Sequence, residues 1–142
     1  LLIGLRNPLH QGHALLIPLL NPGELIDGGR ARFGAPAEIN LDQRGIRSIE
    51  RVGASYVIAA GPTADAGSFA LFLWSGRAGE AAAMITGSDL RDLRPEALFA
   101  IPGGKSVQVL SDDGGIRVGG VECKKLPAGR QTFRSLTITL PE

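Results

Sequence analysis

Short apolar runs, separated by breaks rich in Gly, Pro and Asp, fill this chain. Residues 45–62 (GIRSIERVGASYVIAAGP) and 94–114 (RPEALFAIPGGKSVQVLSDDG) share one layout. Each has a charged start, an apolar run, a Gly-containing turn, a second apolar run and a turn at its exit. Runs this short, bounded by turn residues, read as strands rather than helices. Two hairpins are therefore predicted, 46–52 with 55–60 and 97–101 with 106–110. Further strands are predicted at 1–5 (LLIGL), 13–20 (HALLIPLL), 37–41, 69–75 (FALFLWS) and 132–140 (TFRSLTITL). Pro18 argues that the second of these is not central or is locally bulged, because proline offers no ladder donor. Residues 21–36 read as a loop or loose hairpin, 80–86 as a short strand or helical turn, and 113–131 as a long Gly-rich connection. Within 88–94, Ser88 or Asp89 is a candidate cap for one helical turn.

The layout recurs along the chain. Ile49 corresponds to Leu98, 49 residues on, and Val57 to Gln108, 51 residues on. Leu2 corresponds to Val57 at an offset of 55, and His13 to Phe69 at 56. A period near about 50 residues fits propeller blades built from four strands. The expected fold is all-β, a partial β-propeller of about two to three four-stranded antiparallel blades. A β-sandwich of the same strands is the alternative. The expected division is a partial blade at 1–41, a full blade at 45–86 and a partial blade at 94–142, all in one domain. Leu1-Leu2-Ile3 already lies inside a strand-like run and no Met precedes it. The expectation is thus a C-terminal fragment of a larger propeller, with the remaining blades as its first partner.

In such a blade the start of the innermost strand and the end of its neighbour share a face. That face would gather Arg6 from the first blade, Arg44 and Arg47 from the second, and Arg94, Glu96, Asp112 and Asp113 from the third. The candidate ligand-binding set is Arg6, Arg44, Arg47, Glu96, Asp112 and Asp113. Arginines in such a ring clamp the phosphate or carboxylate of a small anionic ligand. Glu96, Asp112 and Asp113 form a candidate calcium site, although calcium takes six to eight oxygens and three carboxylates alone do not fill its shell. The competing structural reading is that Arg47 pairs with Glu96 or Asp112 and ties adjacent blades together.

Composition narrows the function classes. Hydrophobic residues make up 44% and charged residues 20%, a globular balance. The net charge is +1 without a basic block, and aromatics are only 5%. Neither favours nucleic acid or an anionic membrane surface. No apolar run approaches the roughly 20 residues of a membrane span. The single cysteine, Cys123, excludes a disulfide within the chain and leaves the compartment open, periplasmic or secreted included. Gly104-Lys105-Ser106 imitates the end of a phosphate loop, but Phe99 stands where the motif needs Gly. His10 and His13 are three residues apart on a loop and a strand start, which is not the geometry of a helical metal pair. Phe72 and Trp74 alternate along one strand and read as core between blades.

At LLIGLRNP, GHALLIPLL, RGIRSIE, YVIAAGP, FALFLWSG and RPEALFAIP…VQVLSDDG, the chain resembles the C-terminal part of a bacterial family, domain of unknown function thirty-six-sixteen. The resemblance implies a propeller-like fold and no particular reaction. At RPEAL and LSDDG it is more loosely similar to propeller hydrolases of the phytase-like and gluconolactonase kinds. That likeness implies a calcium held by Glu96, Asp112 and Asp113, although Ala97 stands where those motifs usually have Gly. No complete catalytic motif is present. The expectation is a ligand- or partner-binding module using the face at the strand starts, with a calcium-dependent hydrolase of phosphate esters or lactones as the alternative.

Overall fold

The computed structural model describes residues 1–87 and 89–141. Ser88, one of the two candidate helix caps, lies outside the described residues. The chain is mostly β, with several antiparallel sheets. Its elements in order are β1 (Leu2–Gly4), β2 (Ala14–Pro18), the short helix α1 (Pro22–Ile26), β3 (Ala37–Ile39), β4 (Gly45–Val52) and β5 (Ser55–Gly61). They continue as β6 (Ala70–Trp74), β7 (Ala83–Met84), β8 (Pro95–Ala100), β9 (Ser106–Ser111), β10 (Arg117–Val118), β11 (Val121–Glu122) and β12 (Ser135–Thr139). Three up-and-down sheets form: β1-β2-β3, then β4-β5-β6-β7, then β8-β9-β12, with β10-β11 a separate hairpin.

The middle sheet is covered on both faces, which explains its nearly continuous apolar strands. Along β5, Ile58 and Ala60 join one buried cluster with Leu16, Ile39 and Leu41, while Val57 and Ala59 join another with Leu98, Val107 and Val109. Phe72 and Trp74 of β6 face the first cluster and Leu71 the second. The period-2 alternation thus serves two cores, one on each side. The free face of the third sheet is different. It carries Ser106, Gln108, Ser135, Thr137 and Thr139, with Gln108 Nε2 donating to Ser135 Oγ at 2.9 Å.

The strand registers bear out part of the repeat and adjust the rest. Ile49 lies opposite Ile58 as Leu98 lies opposite Val109, which keeps the offsets of 49 and 51. Leu2 lies opposite Pro18 as Val57 lies opposite Leu73. Both β1 and β2 therefore map onto β5 and β6 at 55, and the offset of 56 expected for His13 was one residue too long. Such a slip moves every side chain to the other face.

Pro18 sits in the middle strand of its sheet, contrary to expectation. β3 pairs only with Ala14 to Leu16, so the missing donor of Pro18 lies beyond the ladder. Residues 21–36 form the expected loose hairpin, closed by Leu20 N–H to Arg32 O at 2.8 Å and Gly34 N–H to Pro18 O at 2.9 Å. Inside it Pro22 opens α1, a position where its lack of N–H costs nothing. Asn21, 5% exposed, holds the excursion together. Its Nδ2 donates to Arg30 O and its Oδ1 accepts from Arg32 N.

The third sheet is fastened to the second through the open edge of β8. Leu98 N–H donates to Ser48 Oγ at 3.0 Å and Ala100 N–H to Glu50 Oε1 at 3.1 Å. Two side chains of β4 thus satisfy edge amides that would otherwise lack partners. Ser48→Ala is expected to cost about 1 kcal/mol. It should also speed hydrogen exchange at the Leu98 amide, leaving exchange at Val57 unchanged under conditions of local opening.

Candidate functional site

Bulges aim two of the predicted residues. The β4–β5 register shifts between Ile46 and Ser48, and the β8–β9 register between Pro95 and Ala97. Arg47 and Glu96 are the extra residues at these corresponding points. A bulge residue leaves the alternation and is turned out of the ladder. The two side chains meet in an ion pair across the sheets, with Arg47 only 6% exposed and Glu96 39%. Arg47 NH2 also donates to Pro62 O at 2.6 Å. Its guanidinium lies 5.4 Å from the centre of the Phe69 ring. Gly61 makes room for it: a Cβ there would lie 2.6 Å from the Phe69 ring and 3.1 Å from Arg47 Nε.

The other arginines of the set hold the loop of residues 62–68. Arg6 NH2 donates to Ala64 O at 3.1 Å, beside Asp65 at 4.0 Å. Asn7 adds a bond to Thr63 O at 3.1 Å. Arg44 donates through Nε to Ser68 O and through NH2 to Ser68 Oγ, and its NH1 faces Leu41 O and Asp42 O. The structure therefore brings Arg6, Arg44 and Arg47 to one loop. It gives them backbone carbonyls rather than an open anion clamp.

The three carboxylates line one shallow cleft of about 300 Å3 together with Phe133. Their oxygens are directed apart. Glu96 turns to Arg47, and Asp112 Oδ1 accepts from Gly114 N–H at 3.0 Å in a local turn. Asp113, 6% exposed, accepts from Arg134 Nε at 2.8 Å, Arg134 NH2 at 2.9 Å, Arg134 N–H at 2.8 Å and Ser111 Oγ at 2.8 Å. Among the described residues no three His, Cys, Asp or Glu side chains gather to hold a metal. Asp113 instead pins the start of β12 to the end of β9. Arg134 was not singled out in the sequence, since nothing local marks it as the mate of a residue 21 positions earlier.

The Arg134 side chain, with help from Ser111 Oγ and the Arg134 amide, holds the Asp113 carboxyl down from 3.8 to about 2. A depressed carboxyl stabilises the fold above its unfolded pKa and loses that contribution as pH falls toward its folded value.

A larger cleft, about 990 Å3, opens beside the start of β6. Phe69, Leu71, Ile85, Leu90 and Leu93 line it together with Ser68, Thr86, Asp92, Arg91 and Arg94. Arg91 is occupied by Asp89, which takes its Nε at 2.9 Å and its NH2 at 2.6 Å. This pairing lowers Asp89 to about 2. Among the described residues the Arg94 guanidinium has no hydrogen-bond or ion-pair partner. The sequence placed Arg94 on this face, but the cleft itself depends on how residues 89–94 fold back over β6 and was not legible there. His10 Nδ1 meets Glu38 Oε1 at 2.7 Å, and His13 Nδ1 lies 3.5 Å from Glu38 Oε2. Cys123 is buried with its Sγ against Thr132 O at 3.3 Å.

No family model, curated protein or solved structure matches this chain.

The ion pairs of the structure set several expected outcomes. Glu96→Gln leaves a buried cation without its counter-charge and should lower stability by about 1–2 kcal/mol in urea melts. Arg77→Ala, which breaks an exposed pair with Glu80, should change stability by less than about 0.5 kcal/mol. The wild-type chain should lose about 1–2 kcal/mol between roughly pH 4 and 2, allowing for the half-exposed Arg134. Asp113→Asn should flatten that limb of the melting profile.

Proposed function

We propose that this chain is a run of β-propeller blades that acts as a ligand-binding module, with the cleft beside β6 as its site. Three features support the blade reading. The sheets are up-and-down and follow one another along the chain, their hairpins match in register at fixed offsets, and the first strand of the third sheet docks on the first strand of the second. The resemblance to the bacterial domain family carries the same expectation of fold.

The observation that carries the functional reading is Arg94, unpartnered among the described residues, beside the apolar side chains of the cleft. Arg44 and Arg47 on this face are engaged by carbonyls or carboxylates, and Arg91 by Asp89. A cleft of mixed polar and apolar lining with, among the described residues, an unpartnered Arg94 suits an amphipathic anion, an apolar body ending in a carboxylate, sulfonate or phosphate.

Anilinonaphthalene sulfonate has this shape and charge and reports its own binding by fluorescence. Arg94→Ala should weaken its affinity by about tenfold, the worth of a charged hydrogen bond. Arg30→Ala, in the 21–36 excursion away from the cleft, should leave the affinity unchanged. Equal affinity in wild type and Arg94→Ala would overturn the assignment of the site.

A further inference from the structure

The Asp113 carboxylate reaches the wall of the cleft beside β6 by two routes, one on each side of Leu93. By the first, Ser111 Oγ donates to Asp113 Oδ1 at 2.8 Å and accepts the Arg94 amide at 2.9 Å. The sense of these bonds is fixed. Asp113, held down to about 2, is ionised at neutral pH and can only accept. The hydroxyl proton therefore goes to Asp113, and an oxygen lone pair is left for the Arg94 N–H. By the second, Arg134 NH2 donates to Asp113 Oδ1 at 2.9 Å and to Asp92 O at 2.7 Å, while its Nε holds Asp113 Oδ2 at 2.8 Å. The Asp92 carbonyl and the Arg94 amide belong to the two peptide groups that flank Leu93. Arg94 O in turn accepts the Asp112 N–H at 2.8 Å. Residues 92–94 precede β8, yet they are bonded at three points to the end of β9 and the approach to β12. A Cβ at Gly115 would lie 3.7 Å from Arg94 NH1, so the guanidinium stands beside the same turn.

With the cleft as the anion site proposed above, a reading on which this one rests, we propose that Asp113 is its positioning residue. Through Ser111 and Arg134 it fixes the backbone on both sides of Leu93 and so aims the Arg94 side chain at the charged end of the ligand. Asp113 itself touches no ligand. It is 6% exposed, and all of its recorded bonds go to Ser111 and Arg134. A charged hydrogen bond is strong only when donor and acceptor are aligned. A long side chain on a loose backbone loses that alignment, because a binding group must be held within about 0.5 Å of its place by its supporting shell. The apolar contacts of the cleft make no such demand, since burial of apolar surface is non-directional. Loosening either route should therefore cost the anionic contact and spare the apolar one.

Two dyes separate these contacts: anilinonaphthalene sulfonate and N-phenyl-1-naphthylamine, which has the same rings without the sulfonate. Both are titrated into the whole chain by fluorescence. Ser111→Ala removes the hydroxyl that joins Asp113 to the Arg94 amide. Arg134→Lys keeps a cation beside Asp113 but gives up the fork that spans Asp113 and Asp92 O. Each variant should weaken the sulfonate dye by at least about threefold and leave the neutral dye within about twofold of wild type. In an Arg94→Ala background, Ser111→Ala should weaken the sulfonate dye no further, because the hydroxyl acts only through Arg94. Each route has its own variant, so one that fails to fold leaves the other as the test. Equal losses for the two dyes, or additive losses in the double variant, would overturn the positioning role. Unchanged sulfonate binding in both variants, beside a loss in Arg94→Ala, would overturn it too and leave the cleft standing as the site. No loss in Arg94→Ala would remove the site itself, and this role with it.

Discussion

The amides along the open edge of an inner strand are the constraint on which this architecture turns. A strand at a sheet edge leaves every second N–H without a ladder partner. Here the edge of β8 is covered by side chains of the sheet before it. Ser48 and Glu50 reach from β4 to the Leu98 and Ala100 amides. Small or acidic polar residues are thus required at positions of β4 whose neighbours are apolar. The bulges at Arg47 and Glu96 belong to the same arrangement, because they let Ile46 and Ile49 face one core while Ser48 and Glu50 face the other sheet. Docking between sheets is therefore set by hydrogen bonds as well as by the apolar surface of Val57, Leu71, Leu98 and Val109.

The cations on the rim show how a backbone loop can be held without regular structure. Residues 62–68 leave carbonyls that no ladder N–H reaches, and Asn7, Arg6, Arg44 and Arg47 donate to four of them. A guanidinium bound in this way is positioned and partly neutralised by dipoles, so it has little left for a ligand. Among the described residues Arg94 has no such carbonyl, which sets it apart from Arg6, Arg44 and Arg47.

Much of the fold was legible because hairpins are local. Gly53-Ala54 and Pro102-Gly103-Gly104 announced two hairpins, and the offsets of 49 and 51 were readable from them. The pairing of Arg47 with Glu96 was legible as a structural tie, since both stand at the same point of the repeat. The β10–β11 hairpin was missed although Gly119 and Gly120 both adopt positive φ, 58° and 83°, as a two-residue turn demands. Its flanks are only two residues long, too short to show alternation. The partner of Asp113 was illegible for a different reason. Its bond to Arg134 spans the long connection, and no local pattern encodes which arginine returns. The one-residue slip at β2 arose where apolar residues run consecutively from Ala14 to Leu20, so that neither face is marked by polarity.

The hydroxyl-rich outer face of the third sheet gives the assembly a direction. Gln108, Ser135, Thr137 and Thr139 stand where the middle sheet presents apolar residues to its neighbour, and Gln108 is already bonded to Ser135. A further layer placed there would have to dehydrate these groups to reach the apolar surface of Phe99 and Leu110 beside them. Contact on this face would therefore be wet, with water or matching polar groups standing between the layers.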